Sequence, residues 1–230
     1  MIIPSFVTRR SIVWTQRANT DFFLCTSGQG NSGVGISVVY PSLWVDQTAA
    51  SGGTGNLFVC NGGANGGASY GGGTGNSMGL YYASTPSMLG TQYSQATLQD
   101  VPTVDKRIGV AVRVQSGASN SAYGLWYDVH SGTLNLVKIT GILSTAFTSI
   151  TSTSKTYVAT NKLRLEAIGS GSATKLYAYE DTGSGFVAVF SNVDPGGSYI
   201  SGGQPGISGS AFSGSGNGGV LDDWSGGDGV

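Results

Sequence analysis

The chain reads as an all-β protein, an antiparallel sandwich, and three observations predict it. Apolar residues alternate with small or polar ones at period two, and Gly/Ser-rich turns separate these runs. No window of a dozen residues carries apolar positions at i, i+3, i+4 and i+7 without an interrupting Gly or Pro. At 230 residues, one large β domain over 1–230 is expected, because such domains often exceed the usual length. The chain holds 39 glycines alongside 39% apolar residues and 11 tyrosines, which points to turns around a core rather than to disorder.

The elements follow in order. Strands are expected over residues 11–15, 21–26, 33–40, 56–60, 77–83 and 91–100. Glycines cluster between Ser51 and Gly79, as in Asn61-Gly62-Gly63 and Gly71-Gly72-Gly73. This stretch reads as long loops leaving a sandwich, where binding function usually sits, or as low-complexity loops without a partner. Ile108, Val110, Val112 and Val114 then alternate with Arg107, Gly109, Ala111 and Arg113, the pattern of a half-buried strand. Runs at 123–129 and 133–140 flank His130-Ser131-Gly132 as a first hairpin. A second joins 157–168 to 174–180 across Gly169-Ser170-Gly171-Ser172, and a third leads through 181–185 into 186–190.

Charge narrows the function classes. Only 10% of residues are charged, against a typical ~25%, and the net charge is −1. Such a surface has no field to concentrate nucleic acid or anionic lipid. The pairs Arg9-Arg10 and Lys106-Arg107 read as solvated strand ends. No apolar run approaches the ~20 residues that span a bilayer, so membrane insertion is not expected. The start, Met1-Ile2-Ile3-Pro4-Ser5-Phe6, lacks the basic and apolar regions of a signal peptide. Release within a virus particle is one other route out of a cell, and removal of a signal is another. With few lysines to guard sheet edges, either loops or neighbouring subunits cover them, and self-association is the expectation. Cys25 and Cys60 end the similar runs Phe22-Phe23-Leu24-Cys25 and Leu57-Phe58-Val59-Cys60, and a disulfide and two buried thiols both fit.

Several stretches carry a family resemblance. They are 91–98 before 107–114, Tyr123-Gly124-Leu125-Trp126-Tyr127 before 132–138, 161–167, and the closing Gln204-Pro205-Gly206-Ile207 and Val220-Leu221-Asp222-Asp223-Trp224. In this order they resemble the laminin G-like branch of the concanavalin A-like lectin/glucanase jelly rolls, chiefly from about residue 90 onward. The resemblance implies two curved antiparallel sheets, neighbouring termini and glycan contact on a concave face or its rim. It covers lectins, glucanases, lyases and non-catalytic modules of secreted enzymes and phage particles, and fold does not choose among them.

Candidate chemistry is thin. Glycoside hydrolysis needs two carboxyl groups about 5–9.5 Å apart. The chain has two glutamates, Glu166 and Glu180, on different strands, and a cross-strand pairing of Glu166 with Glu180 or Asp181 is the one arrangement open to it. His130, the single histidine, shares strand parity with Asp128, but no serine stands in a nucleophile-elbow context. One histidine and two distant cysteines do not make a structural zinc site. Asp222, Asp223 and Asp228 offer oxygens to Ca2+, which occurs in laminin G-like relatives, although Asp222 and Asp223 should face opposite sides of a strand. No other cofactor is expected.

Aromatic and polar residues on strand faces are the better route to a ligand. The parity opposite Val110 and Val112 displays Arg113. By analogy Trp126 with Asp128 and His130, Arg164 with Glu166, and Tyr177 with Tyr179 form the expected glycan-contact set, unless the rings are core. The sequence thus predicts a non-enzymatic, surface-binding or structural jelly roll. Its expected setting is a phage virion, as capsid decoration or tail-associated adhesin, with itself, other virion proteins or glycans as partners. The rival is a secreted, extracellular carbohydrate-active protein.

Overall fold

A computed structural model describes residues 12, 14–20, 44–46, 57–59, 68–70, 77–83, 88, 90–101, 106–115, 121–141, 146–211 and 220–229. Its first strands are β1 (Trp14–Thr20), β2 (Trp44–Asp46), β3 (Leu57–Val59), β4 (Ala68–Tyr70) and β5 (Ser77–Ala83). The middle ones are β6 (Gln92–Asp100), β7 (Lys106–Val114), β8 (Ala122–Asp128), β9 (Thr133–Ile139) and β10 (Phe147–Ser154). The last are β11 (Lys162–Ile168), β12 (Lys175–Asp181), β13 (Val187–Val193), β14 (Gln204–Ala211) and β15 (Val220–Gly229).

Two antiparallel sheets result. The first runs β13-β12-β11-β6-β15-β4-β3, with β1 also paired to β15, and the second runs β10-β9-β8-β7-β14-β5-β2. Trp14 opposes Gly229, so the first described strand lies beside the last. The sheets pack face to face over a single large cluster. Ile108, Val110, Val112, Leu125, Leu134, Leu136 and Ile207 from the second sheet meet Leu98, Leu163, Leu165, Leu176 and Leu221 from the first. Burying each such aliphatic side chain contributes about 1.5–3 kcal/mol, and period-two alternation delivers them all to one side. Trp44 and Trp224 meet edge-on at 4.7 Å in the same core. The Trp224 indole donates to Ser94 Oγ at 2.9 Å, and that hydroxyl donates on to the Gly206 carbonyl at 2.7 Å, tying the two sheets together.

The three predicted hairpins form. Gly132 takes φ 60°, a 3-10 turn covers Gly171–Ala173, and Asp181 Oδ1 accepts the Gly183 and Gly185 amides at 2.8 and 2.9 Å. Elsewhere the boundaries differ from expectation. Residues 157–161 precede the strand rather than belonging to it. Thr160 takes φ 77°, and Asn161 Oδ1 accepts the Val158 amide at 3.0 Å, so a side chain serves the backbone where a ladder would have. β10 falls in a Ser/Thr-rich run that gave no strand signal. β4 falls in the stretch read as loop, and β2 falls between two expected strands where none was predicted. The expected strands over 21–26 and 33–40, and both cysteines with any disulfide, lie outside the described residues, as does Arg9-Arg10.

Candidate functional site

The outward face of the first sheet gathers four of the eight expected contact residues. β11 pairs β12 with Arg164 opposite Tyr179 and Glu166 opposite Tyr177, and pairs β6 with Arg164 opposite Gln95 and Glu166 opposite Tyr93. Directly opposed side chains on one face lie within about 5 Å, so two cross-strand rows of three stand side by side. The alternation that sends Leu163, Leu165 and Ala167 inward sends Arg164 and Glu166 out.

Arg164 is the hub. Its Nε donates to Glu166 Oε1 at 2.7 Å and its Nη1 to Gln95 Oε1 at 3.1 Å. The guanidinium lies over the Tyr93 ring at 4.4 Å and reaches toward Phe186 at 6.0 Å. Tyr179 donates to Glu166 Oε2 at 3.3 Å, and Tyr177 to Asn192 Oδ1 at 3.3 Å. Burial raises the Tyr93 phenol, a shift offset in part by its hydrogen bond with Ser225. Glu166, Tyr93 and Tyr177 are nearly closed to solvent, Arg164 and Tyr179 are half-buried, and Phe186 is exposed. The result is a pre-organised floor of charge-assisted hydrogen bonds, with Arg164, Tyr179 and Phe186 toward solvent. Tyr93, Gln95 and Phe186 were missed by the sequence reading. Tyr93 and Gln95 share a parity within 91–98, and that parity was the signal available.

The other four residues go elsewhere. Trp126 and Asp128 project from the outward face of the second sheet, on the opposite side of the sandwich. Trp126 is wholly buried among Ala111, Ala122, Val137 and Ile139, with Phe147 edge-on at 5.2 Å. Its indole donates to Ser208 Oγ at 2.5 Å, so neither the ring nor its N–H is presented to solvent. Asp128 accepts Arg107 Nε at 2.8 Å in a buried ion pair, and the Arg107 guanidinium covers the Phe147 ring at 4.6 Å. Arg107 is therefore no solvated strand end. Burial lowers its pKa, and the hydrogen bond it donates to Asp128 offsets part of that shift. His130 sits in the exposed turn past the end of β8, where strand alternation with Trp126 and Asp128 has stopped.

Arg113 points inward, against expectation. The β14–β7 register shifts between Gln204 and Gly206, and Arg113 takes φ 55°, which turns its side chain between the layers. Gly203 sits against this bulge at φ 86°, where a Cβ would come within 2.7 Å of the Arg113 carbonyl carbon.

The carboxylates do not pair. Glu180 shares the inward parity of Leu176 and Ala178 and is held by Lys155 Nζ at 2.5 Å and the Tyr157 hydroxyl at 2.7 Å. Glu166 faces the other way, so β11 and β12 carry their glutamates on opposite faces. Burial and the Glu180 charge push the Tyr157 phenol well above its ordinary value. Asp181 is spent on its own turn, where the Gly183 amide leads in holding its carboxyl below the usual range. Asp222 opposes Thr97 and Asp228 opposes Gln92, five positions along β6, so these acids do not converge. Among the described residues no group of three or more His, Cys, Asp or Glu is placed to hold a metal ion. Nor, among them, is any helix long and apolar enough to cross a membrane.

Solved structures place the architecture. The chain is similar to a carbohydrate-binding module, CBM66, of Bacillus subtilis, with a TM-score of 0.52, 14% identity, and 81% of this chain and 96% of that one covered. It is similar to a Bacillus subtilis protein of unknown function with a galectin-like fold, at TM-score 0.50 and 12% identity over 95% and 99% of the two chains. Arcelin-5, a lectin-like defense protein of Phaseolus vulgaris, gives a TM-score of 0.51 and 10% identity over 93% and 98%. No protein-family model and no curated protein matches the sequence. At these identities the likeness is one of fold, and the fold is a lectin-like jelly-roll sandwich.

Proposed function

We propose that the chain is a non-catalytic glycan-binding module that uses the outward face of the first sheet. One observation carries this reading. Arg164, locked by Glu166 and Gln95 over Tyr93, stands beside Tyr179 and the exposed Phe186. A sugar offers an apolar C–H face for the rings and hydroxyls for the fixed donors and acceptors. The fold likeness to a carbohydrate-binding module and a lectin-like protein supports the same reading.

A panel of immobilised neutral polysaccharides tests it. The wild-type chain is expected to be retained on at least one, with no release of reducing or unsaturated ends. Tyr179→Ala or Arg164→Ala should weaken retention about tenfold or more, the scale of losing one charge-assisted or stacking contact. Retention unchanged in both variants, or measurable turnover, contradicts the proposal.

The setting we propose is a particle surface, with a phage virion as the instance and self-association or neighbouring virion proteins as partners. Its support is a chain in which only 10% of residues are charged. A strictly monomeric species in sedimentation velocity would count against that setting and for the secreted alternative.

A further inference from the structure

A pocket separate from that face lies at the end of the other sheet. The connection from β13 to β14 crosses the ends of β7, β8 and β9 and borders an open cleft of about 550 Å³. That lies within the roughly 300–1,000 Å³ range of small-ligand pockets. Gln115, Ser121, Thr140, Tyr199 and Ser201 line it with hydroxyls, an amide and one ring, and the charged lining residue is Lys138.

Among the described residues, the charge around this cavity is net positive. Lys138 Nζ donates to the Ser198 carbonyl, and no carboxylate pairs with it among the described residues. Behind the wall lies a second cation. Arg113 Nη1 donates to the carbonyl of Ile200, itself a lining residue, at 2.7 Å. Arg113 is fully buried, its acceptors are carbonyls and the Thr174 hydroxyl, and its Nε lacks a partner among the described residues. One acid reaches the wall, Asp194, which accepts the hydroxyl of the lining Tyr199 at 3.2 Å and is paired with Lys175 Nζ at 2.8 Å. Two cations that pair with no carboxylate among the described residues therefore adjoin a cavity furnished with hydrogen-bonding groups.

We infer that this cavity binds the carboxylate-bearing terminal residue of an acidic saccharide. Lys138 Nζ takes the carboxylate, the hydroxyls of Ser121, Thr140 and Ser201 take ring hydroxyls together with the Gln115 side-chain oxygen, whose Nε2 donates to the Arg113 and Ser201 carbonyls, and Tyr199 offers the face. The proposal rests on the glycan-binding reading for the ligand's being a sugar, and on the cavity itself for its charge.

The test titrates the isotopically labelled full chain in parallel with D-glucuronate, D-glucose and acetate, followed by amide NMR. Glucuronate is expected to shift Ser121, Thr140, Tyr199 and Ser201. Its affinity should fall about tenfold or more in Lys138→Gln and be retained in Lys138→Arg, each variant's remaining spectrum overlaying the wild type. Tyr179→Ala should leave the glucuronate response unchanged. No shift at these amides, an equal response to glucose, or full glucuronate affinity in Lys138→Gln overturns the proposal. So does acetate reproducing the shifts at the same affinity, which would make the cavity a simple anion site. Glucuronate binding intact while neutral polysaccharides go uncaptured would sink the first-sheet reading alone.

Discussion

Four acceptors converge on the Arg113 guanidinium: the Thr174 hydroxyl and the carbonyls of Gly90, Gly169 and Ile200. They come from three stretches of chain, two of which, at Gly90 and Gly169, continue past the end of the β6–β11 ladder, so one side chain ties loops together at the end of the sandwich. Removing it leaves those groups buried without a donor, and hydrogen bonds to a charged group are worth about 1.5–3 kcal/mol each. Arg113→Met, which keeps volume and deletes the donors, is expected to lower unfolding free energy by about 3 kcal/mol in urea melts. A loss under about 1 kcal/mol would mean that water or relaxed backbone takes the guanidinium's place. The residue's identity was legible in the sequence; its direction was not. Alternation with Val112 pointed it outward, and only the bulge against Gly203 turns it in. Trp126 illustrates the converse. Its outward parity was right, but the apolar cluster closing over it leaves no trace in period-two counting.

The connection from β13 to β14 is held through Asp194. Its carboxylate accepts Lys175 Nζ, the Gly196 amide at 2.9 Å and the Tyr199 hydroxyl. The Lys175 hydrogen bond leads in holding its pKa below the ordinary 3.8. A depressed carboxyl contributes order that is complete above its unfolded pKa and is lost as pH falls through the folded value. The pair is exposed, so the effect on global stability is small and the readout must be local. Amide shifts of Gly196 and Tyr199 are expected to hold down to pH 3.8 and to titrate below it, and Asp194→Asn should abolish that transition. A midpoint above 3.8 would contradict the assignment. Elements differ sharply in how readable they were. β7, β8, β9, β11 and β12 carry strong apolar alternation because one face meets the core. β10, Phe-Thr-Ser-Ile-Thr-Ser-Thr-Ser over 147–154, is an edge strand with few buried positions, so its sequence lacks the alternation that burial imposes.

Taken whole, the molecule is two antiparallel sheets whose outward faces have different fates. The second sheet's face is closed by Trp126, Phe147 and the Arg107–Asp128 pair, whereas the first presents Arg164, Tyr179 and Phe186. Sheet architecture followed from glycine turns and alternation. Which face stays open did not, because that depends on what packs across strands far apart in sequence. The inward turn of Glu180 has the same origin: its parity along β12 opposes that of Glu166 along β11, and only the register reveals it. The most direct measurement is amide chemical-shift mapping of the full chain with a neutral oligosaccharide cut from a retained polysaccharide. Perturbations centred on β6, β11 and β12, with Gln95, Arg164 and Tyr179 foremost, are the predicted result. Perturbations confined to the second sheet, or none at saturating saccharide, would contradict the account.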